Sequence, residues 1–148
     1  MPEIQMQVTV ALAPRELFPL VAGATGFERW WTDDVSVQSD GAVQLGFLNR
    51  STVYRLRPET MVMPVRSAWR AESGREWNGT MIVLELAAGG PGTVVRLTHG
   101  GWQAETDYFR ECTATWGALL TRLREVAESG TARPMFAGSP EGPRPSPG

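Results

Sequence analysis

The chain has 148 residues, a formal net charge of −2 and a pI near 5.5, with charges of both signs interspersed along the length of one ordinary domain. A single cysteine, Cys112, excludes an internal disulfide. The lack of a basic stripe argues against nucleic acid as a partner, and no apolar run reaches the ~20 residues that span a bilayer.

The opening "MPEIQMQVTV" has neither a basic nor a continuous apolar region of the kind that directs secretion, so a soluble cytoplasmic protein is expected. In "IQMQVTV", Ile4, Met6, Val8 and Val10 alternate with Gln5, Gln7 and Thr9, the pattern of a half-buried antiparallel strand. "APRELFPLVAG" then places Pro14 at a helix start, Glu16 in its first turn and Gly23 as a stop, with Pro19 expected to kink it. A second short helix, "TGFERWW", follows.

From residue 35 to 99 the pattern is strand after strand. Val43, Leu45 and Phe47 share one face of the first of these, and Tyr54 and Leu56 one face of the next. Val65, Ser67, Trp69 and Ala71 are in phase, as are Ile82, Leu84 and Leu86, and then Val95, Leu97 and His99. Turn signals separate the runs at Ser39-Asp40-Gly41, Arg57-Pro58-Glu59, Ser73-Gly74 and Gly89-Gly90-Pro91-Gly92. Asn78-Gly79 competes with Ser73-Gly74 for the same hairpin.

The clearest element runs from about residue 104 to 129. Tyr108, Cys112, Trp116, Leu119, Leu123 and Ala127 recur at three- and four-residue spacing, opposite Arg110, Glu111, Arg122 and Glu125. Gly130 is a natural stop. Gly117 sits inside this helix at a cost of ~1 kcal/mol relative to alanine, which a close approach to another surface would compensate. Residues 131–148, "TARPMFAGSPEGPRPSPG", are rich in proline, glycine and serine and are expected to form a disordered tail after a single domain spanning 1–130.

A strand, two short helices, about six more strands and a long amphipathic helix make an α+β fold. "APRELFPLVAGATGFERWW", "WNGTMIVLEL", "GTVVRLTHGGW" and "YFRECTATWGALLTRLREVAESG" together resemble the START-like, helix-grip superfamily (SRPBCC, Bet v 1-like) over residues 5–130. Within it they are most similar to the branch related to the activator of the heat-shock-protein ATPase. The resemblance implies a curved antiparallel sheet of six or seven strands wrapped around the C-terminal helix, with a cavity between them. Family members use that cavity for hydrophobic metabolites or lipids, some as enzymes and some with no known ligand.

The candidate site is therefore the inward aromatic set. Phe47, Tyr54 and Trp69 share the inner phase of their strands, and Tyr108, Cys112 and Trp116 face them from the helix. Trp31 is placed at the cavity mouth, and Trp77 and Trp102 in turns at its rim. The same residues would form an ordinary core in a closed two-layer domain. His99, the only histidine, is in phase with the inner face. It is either a general base or ligand donor, or a buried histidine satisfied by neighbours where sheet hands over to helix; the second reading is preferred. One histidine and one cysteine cannot supply the ligands zinc prefers, so no metal and no cofactor is expected. Cys112 lacks an activating partner and reads as a core thiol.

Three functions remain. The favoured one is binding of a small hydrophobic molecule, oriented by a few polar groups such as Tyr54, His99 and Tyr108. The alternatives are a cyclase or dehydratase acting on a polyketide-like substrate, and a chaperone-cofactor-like interaction domain with an exposed apolar patch and a filled cavity. A homodimer is compatible with the sequence, which carries nothing that sets oligomeric state.

Overall fold

The alternating segments become seven strands in one antiparallel sheet, as seen in a computed structural model that describes residues 2–137. In chain order these are β1 (Ile4–Val10), β2 (Asp34–Val37), β3 (Val43–Phe47), β4 (Thr52–Val62), β5 (Arg66–Ala71), β6 (Met81–Gly89) and β7 (Gly92–Gly100). Their spatial order is β1-β7-β6-β5-β4-β3-β2, so β1 and β2 form the two edges. The link between those edges carries α1 (Pro14–Leu17), a 3-10 turn (Phe18–Leu20) and α2 (Ala24–Trp30). The long helix α3 (Asp107–Ser129) covers the inner face of the sheet, which is the α+β helix-grip arrangement read from the sequence.

Periodicity decides which side of each element is covered. Leu45, Leu56, Leu84, Val95 and Leu97 are fully buried on the inner face, while α3 buries Phe109, Cys112, Trp116, Leu119, Leu120, Leu123 and Val126. Both ends of α3 are capped as their residues dictate. Thr106 Oγ1 accepts from the Phe109 N–H at 3.1 Å, and Gly130 takes the left-handed conformation, with φ 76°. On the outer face Arg55 and Arg57 converge on Glu72 and Asp40, with Arg57 Nε 2.6 Å from Glu72 Oε2. The Ala42 N–H and the Arg57 guanidinium hold the Asp40 carboxyl at about 2.

Three expectations change. Arg57-Pro58-Glu59 is not a turn: β4 runs through it, with a register shift between Pro58 and Thr60. A proline has no N–H to give a ladder, and a bulge is where a strand tolerates that loss. The chain turns instead after β4, leaving Val65 46% exposed and out of phase with Ser67, Trp69 and Ala71. The rival hairpin dipeptides do not compete, because both belong to one loop between β5 and β6. Gly74 (φ 95°) and Gly79 (φ 91°) each supply a left-handed residue there.

The third change concerns the chain beyond Gly130. It continues along the end of α2, where the Arg133, Met135 and Phe136 N–H groups donate to the carbonyls of Arg29, Trp30 and Trp31. Phe136 pairs with Thr32 as an isolated parallel bridge and packs against the core. These backbone bonds and one aromatic anchor hold residues 131–137 on the domain despite their composition. The rest of the expected tail, 138–148, lies outside the described residues.

Gly117 has no close neighbour to justify it. A Cβ there would meet nothing nearer than the Met6 Sδ, at 3.8 Å. Gly117→Ala should therefore raise stability by about 0.5–1 kcal/mol in urea denaturation, through helix propensity alone.

Candidate functional site

Between α3 and the β3–β4 end of the sheet lies a cavity of about 220 Å³. Helical spacing brings Tyr108, Glu111, Cys112, Thr115, Trp116 and Leu119 to it as one stripe of α3. Strand alternation brings Thr52 and Tyr54 from β4, next to Phe47 and Leu48 at the end of β3. Trp31 closes α2 against it, Trp77 enters from the β5–β6 loop, and Phe136 arrives from the segment beyond α3.

Six of the residues singled out in the sequence, Trp31, Phe47, Tyr54, Tyr108, Cys112 and Trp116, meet on this wall. Trp69 and His99 do not. Trp69 lies further along the sheet under Phe27, ring centres 5.2 Å apart, and its Nε1–H donates to Ser67 Oγ at 2.6 Å. Ser67 in turn donates to the Val21 carbonyl at 2.6 Å, so this pair locks the helical link onto β5. Trp102, expected at the rim, is 1% exposed and packs edge-on against Phe109. Glu111, Thr115, Leu119 and Phe136, together with Leu48 and Thr52, are wall residues that the sequence reading does not assign. Leu119 belongs to the apolar stripe of α3, and Thr115 and the exposed Glu111, which the spacing assigns to the opposite side, border that stripe at the cavity edge; only the placement of the helix reveals them. Phe136 was hidden in a segment whose composition reads as tail.

His99 sits directly behind the wall, fully buried. The Trp116 Nε1–H donates to its Nδ1 at 3.1 Å, so Nδ1 is the bare nitrogen and the proton resides on Nε2. Nε2–H donates to Thr80 Oγ1 at 2.9 Å, and the Thr80 hydroxyl donates to the Trp77 carbonyl at 2.6 Å. Every donor in this chain has an acceptor, and both imidazole nitrogens are occupied. Burial pushes the imidazole down to about 3, so it is neutral at physiological pH. The reading preferred from sequence, a satisfied histidine at the handover from sheet to helix, agrees with this geometry.

The polar part of the wall is a different cluster. The Tyr54 and Tyr108 hydroxyls bond to each other, and Cys112 lies beside Tyr108. Tyr54 stacks flat on Trp77, with ring centres 3.9 Å apart and planes 5° from parallel. Gly74 backs the Tyr54 ring so closely that a Cβ would lie 2.5 Å from Tyr54 Cε1, which explains a glycine there beyond its positive φ. Trp77 is 5% exposed and its Nε1–H has no oxygen or nitrogen acceptor among the described residues, its neighbour being the weakly accepting Cys112 sulfur. An unpaired buried donor costs ~1–3 kcal/mol. Burial raises Tyr54 to about 12 and pushes Tyr108 and the Cys112 thiol up as well, so all three keep their protons.

His99 makes stability pH-dependent in a defined window. Above about pH 6.5 the imidazole is neutral both folded and unfolded, and its contribution is complete. Below that, the unfolded chain binds a proton that the folded one refuses until about pH 3. Stability should fall by ~1.4 kcal/mol per pH unit, or ~2 kcal/mol between pH 7.5 and 5. Urea titrations should show that slope in the native protein. His99→Gln, although less stable throughout, should lose most of the slope above pH 5, where the lowered carboxyls of Asp40 and Glu72 contribute little.

Among the described residues no helix is long and apolar enough to cross a membrane, and no three His, Cys, Asp or Glu side chains gather as a metal site. No protein-family model and no curated protein matches the chain. Solved structures do. The Aha1 dimer from Colwellia psychrerythraea superposes with a TM-score of 0.76 at 24% identity, over 88% of this chain and 98% of that one. Protein MLL2253 from Mesorhizobium loti gives 0.73 at 10% identity, over 86% and 98%. DynU16, from the dynemicin biosynthetic locus, gives 0.71 at 13% identity, over 88% of this chain and 48% of its own. The chain shares the α+β helix-grip fold of these solved structures, the Aha1 protein among them.

Proposed function

We propose that the protein binds a small hydrophobic molecule in the cavity between the sheet and α3. The observation that carries this reading is an open space of about 220 Å³ walled by Trp31, Phe47, Tyr54, Trp77 and Trp116. Few polar groups in a mostly apolar, pre-formed concavity are the usual composition of a small-molecule site. A structural neighbour from a biosynthetic locus, DynU16, supports the same direction. A cyclase or dehydratase would need a proton-transfer group on the wall. His99 is off the wall with both nitrogens engaged, and the two tyrosines are held more weakly acidic than usual. The only wall carboxylate, Glu111, is exposed at the edge, so binding without turnover is the better account.

A second reading, self-association, is favoured by one separate observation. At the tip joining β4 and β5, Met61, Val62, Met63 and Val65 stand 39–60% exposed as one apolar group. The Colwellia neighbour is a dimer, and a second copy of this chain is the occupant we infer for this tip.

Native mass spectrometry with added naphthalene should show a one-to-one complex. Thr115→Phe, which projects a ring into the cavity from a half-buried helix position, should keep the melting temperature within a few degrees and weaken binding at least tenfold. Unaltered binding by that variant would place the ligand elsewhere and end the cavity reading. In sedimentation, the wild type should run as a dimer and the double variant Met63→Glu, Val65→Glu as a monomer; a monomeric wild type at micromolar concentration removes the second reading.

A further inference from the structure

We infer that the cavity takes a cationic amphiphile, with an apolar ring system against the buried floor and an ammonium group at the open rim, paired with Glu111. The inference rests on the cavity-binding function proposed above and adds to it the charge and the orientation of what is bound.

The wall changes character with depth. Trp31, Phe47, Tyr54, Trp77 and Trp116 are buried and form the floor. Glu111 and Leu48 are exposed, and Thr52 and Thr115 half-buried, so these four make the rim where the space meets solvent. Glu111 and Thr115 are four residues apart on α3 and therefore lie side by side along one border of its apolar stripe. Because the space is open there, a bound molecule can carry a polar end past the rim and keep it hydrated.

The floor has no use for that polar end. Its own polar atoms face one another: the Tyr54 and Tyr108 hydroxyls are bonded, and the Cys112 sulfur meets both Tyr108 and the Trp77 N–H. What remains is aromatic surface, which holds an apolar ring by offset or edge contacts.

The rim decides the sign of the charge. Among the described residues Glu111 is the only ionised side chain of the wall, and no arginine lines it. The arginines of adjoining segments are engaged elsewhere. Arg50 lies beside Gly46, out of phase with the inward Leu45 and Phe47, with its Nη1 2.6 Å from Asp34 Oδ1. Arg110 pairs with Asp107 at 2.7 Å, and Arg75 is not part of the wall. Groups inside the cavity register the resulting field. Burial is the main reason the Cys112 thiol is pushed up, and the Glu111 and Glu76 carboxylates push it further in the same direction. An ammonium group at the rim meets an unopposed carboxylate and two threonine hydroxyls that accept hydrogen bonds, whereas a carboxylate ligand meets like charge with no cation to offset it.

Three probes that keep one naphthalene ring system and change the charge of the appended group test this on the full chain: 1-naphthylmethylammonium, 1-naphthylmethanol and 1-naphthoate. Calorimetry at low salt should show the ammonium binding roughly threefold more tightly than the alcohol, the scale of a solvent-exposed ion pair, and the naphthoate binding least well. Added salt should shrink that ratio. Glu111→Gln, at an exposed helix position, should bring the ammonium down to the affinity of the alcohol and leave the alcohol unchanged. Glu16→Gln removes the same charge from α1, outside the cavity wall, and should preserve the wild-type ratio. Equal affinities for ammonium and alcohol in the wild type, or preference for the naphthoate, would overturn the inference while leaving cavity binding intact. So would a cation preference that survives Glu111→Gln or vanishes equally in Glu16→Gln. Failure of all three probes to bind the folded protein would overturn the binding function as well.

Discussion

The hydrogen bond from Trp116 to His99 is the joint on which the site depends. It links the middle of α3 to the last strand, β7, beside the cavity. Its direction also fixes the rest of the chain. Because the imidazole accepts at Nδ1, it must donate at Nε2, which sets the Thr80 hydroxyl to donate onward to the Trp77 carbonyl. Two cavity walls, Trp116 and Trp77, are thereby positioned by one buried, neutral ring. Such a chain is costly to break at any point, since each deletion strands a buried partner.

Around that joint the aromatic residues form a continuous path rather than a filled centre. Trp69 meets Phe27, Phe27 meets Trp31, and Trp31 meets both Phe47 and Trp116, with ring centres 5.0–6.3 Å apart. Tyr54 and Trp77 extend it to His99 and Trp102. Aromatic pairs at these spacings keep offset or edge contacts, and the cavity opens beside this path, against Phe47, Tyr54, Trp77 and Trp116. It stays partly closed because Phe136, edge-on to Phe47 at 5.1 Å, is carried there by a segment bonded to the end of α2.

Much of this was legible in the chain. Alternation in β1 and β3–β7 assigned the inner face correctly at Ile4, Phe47, Tyr54, Trp69, Ile82 and His99, because a strand has only two faces and one is covered. The three-and-four spacing of α3 placed Tyr108, Cys112 and Trp116 toward the sheet. The composition of 131–137 misled, since a few backbone hydrogen bonds and one phenylalanine were enough to dock a segment that could not bury much surface. Pro58 misled as well, since a bulge within a long strand uses the same residue types as a turn.

Local periodicity thus determined the α+β architecture, the order of its elements and the inward set of side chains, because those follow from repeat lengths of 2 and 3.6 residues. Tertiary structure alone decided which inward residues line a cavity and which are core. Trp69 and Tyr54 have the same phase and similar composition around them, yet one is covered by Phe27 and the other faces open space. Coverage is set by where α2, α3 and the chain beyond Gly130 come to rest over a curved sheet, a relation between distant segments that no local pattern encodes. The same holds for the Trp77 N–H: its burial and its lack of an oxygen or nitrogen acceptor exist only once the loop, the helix and the strand have met.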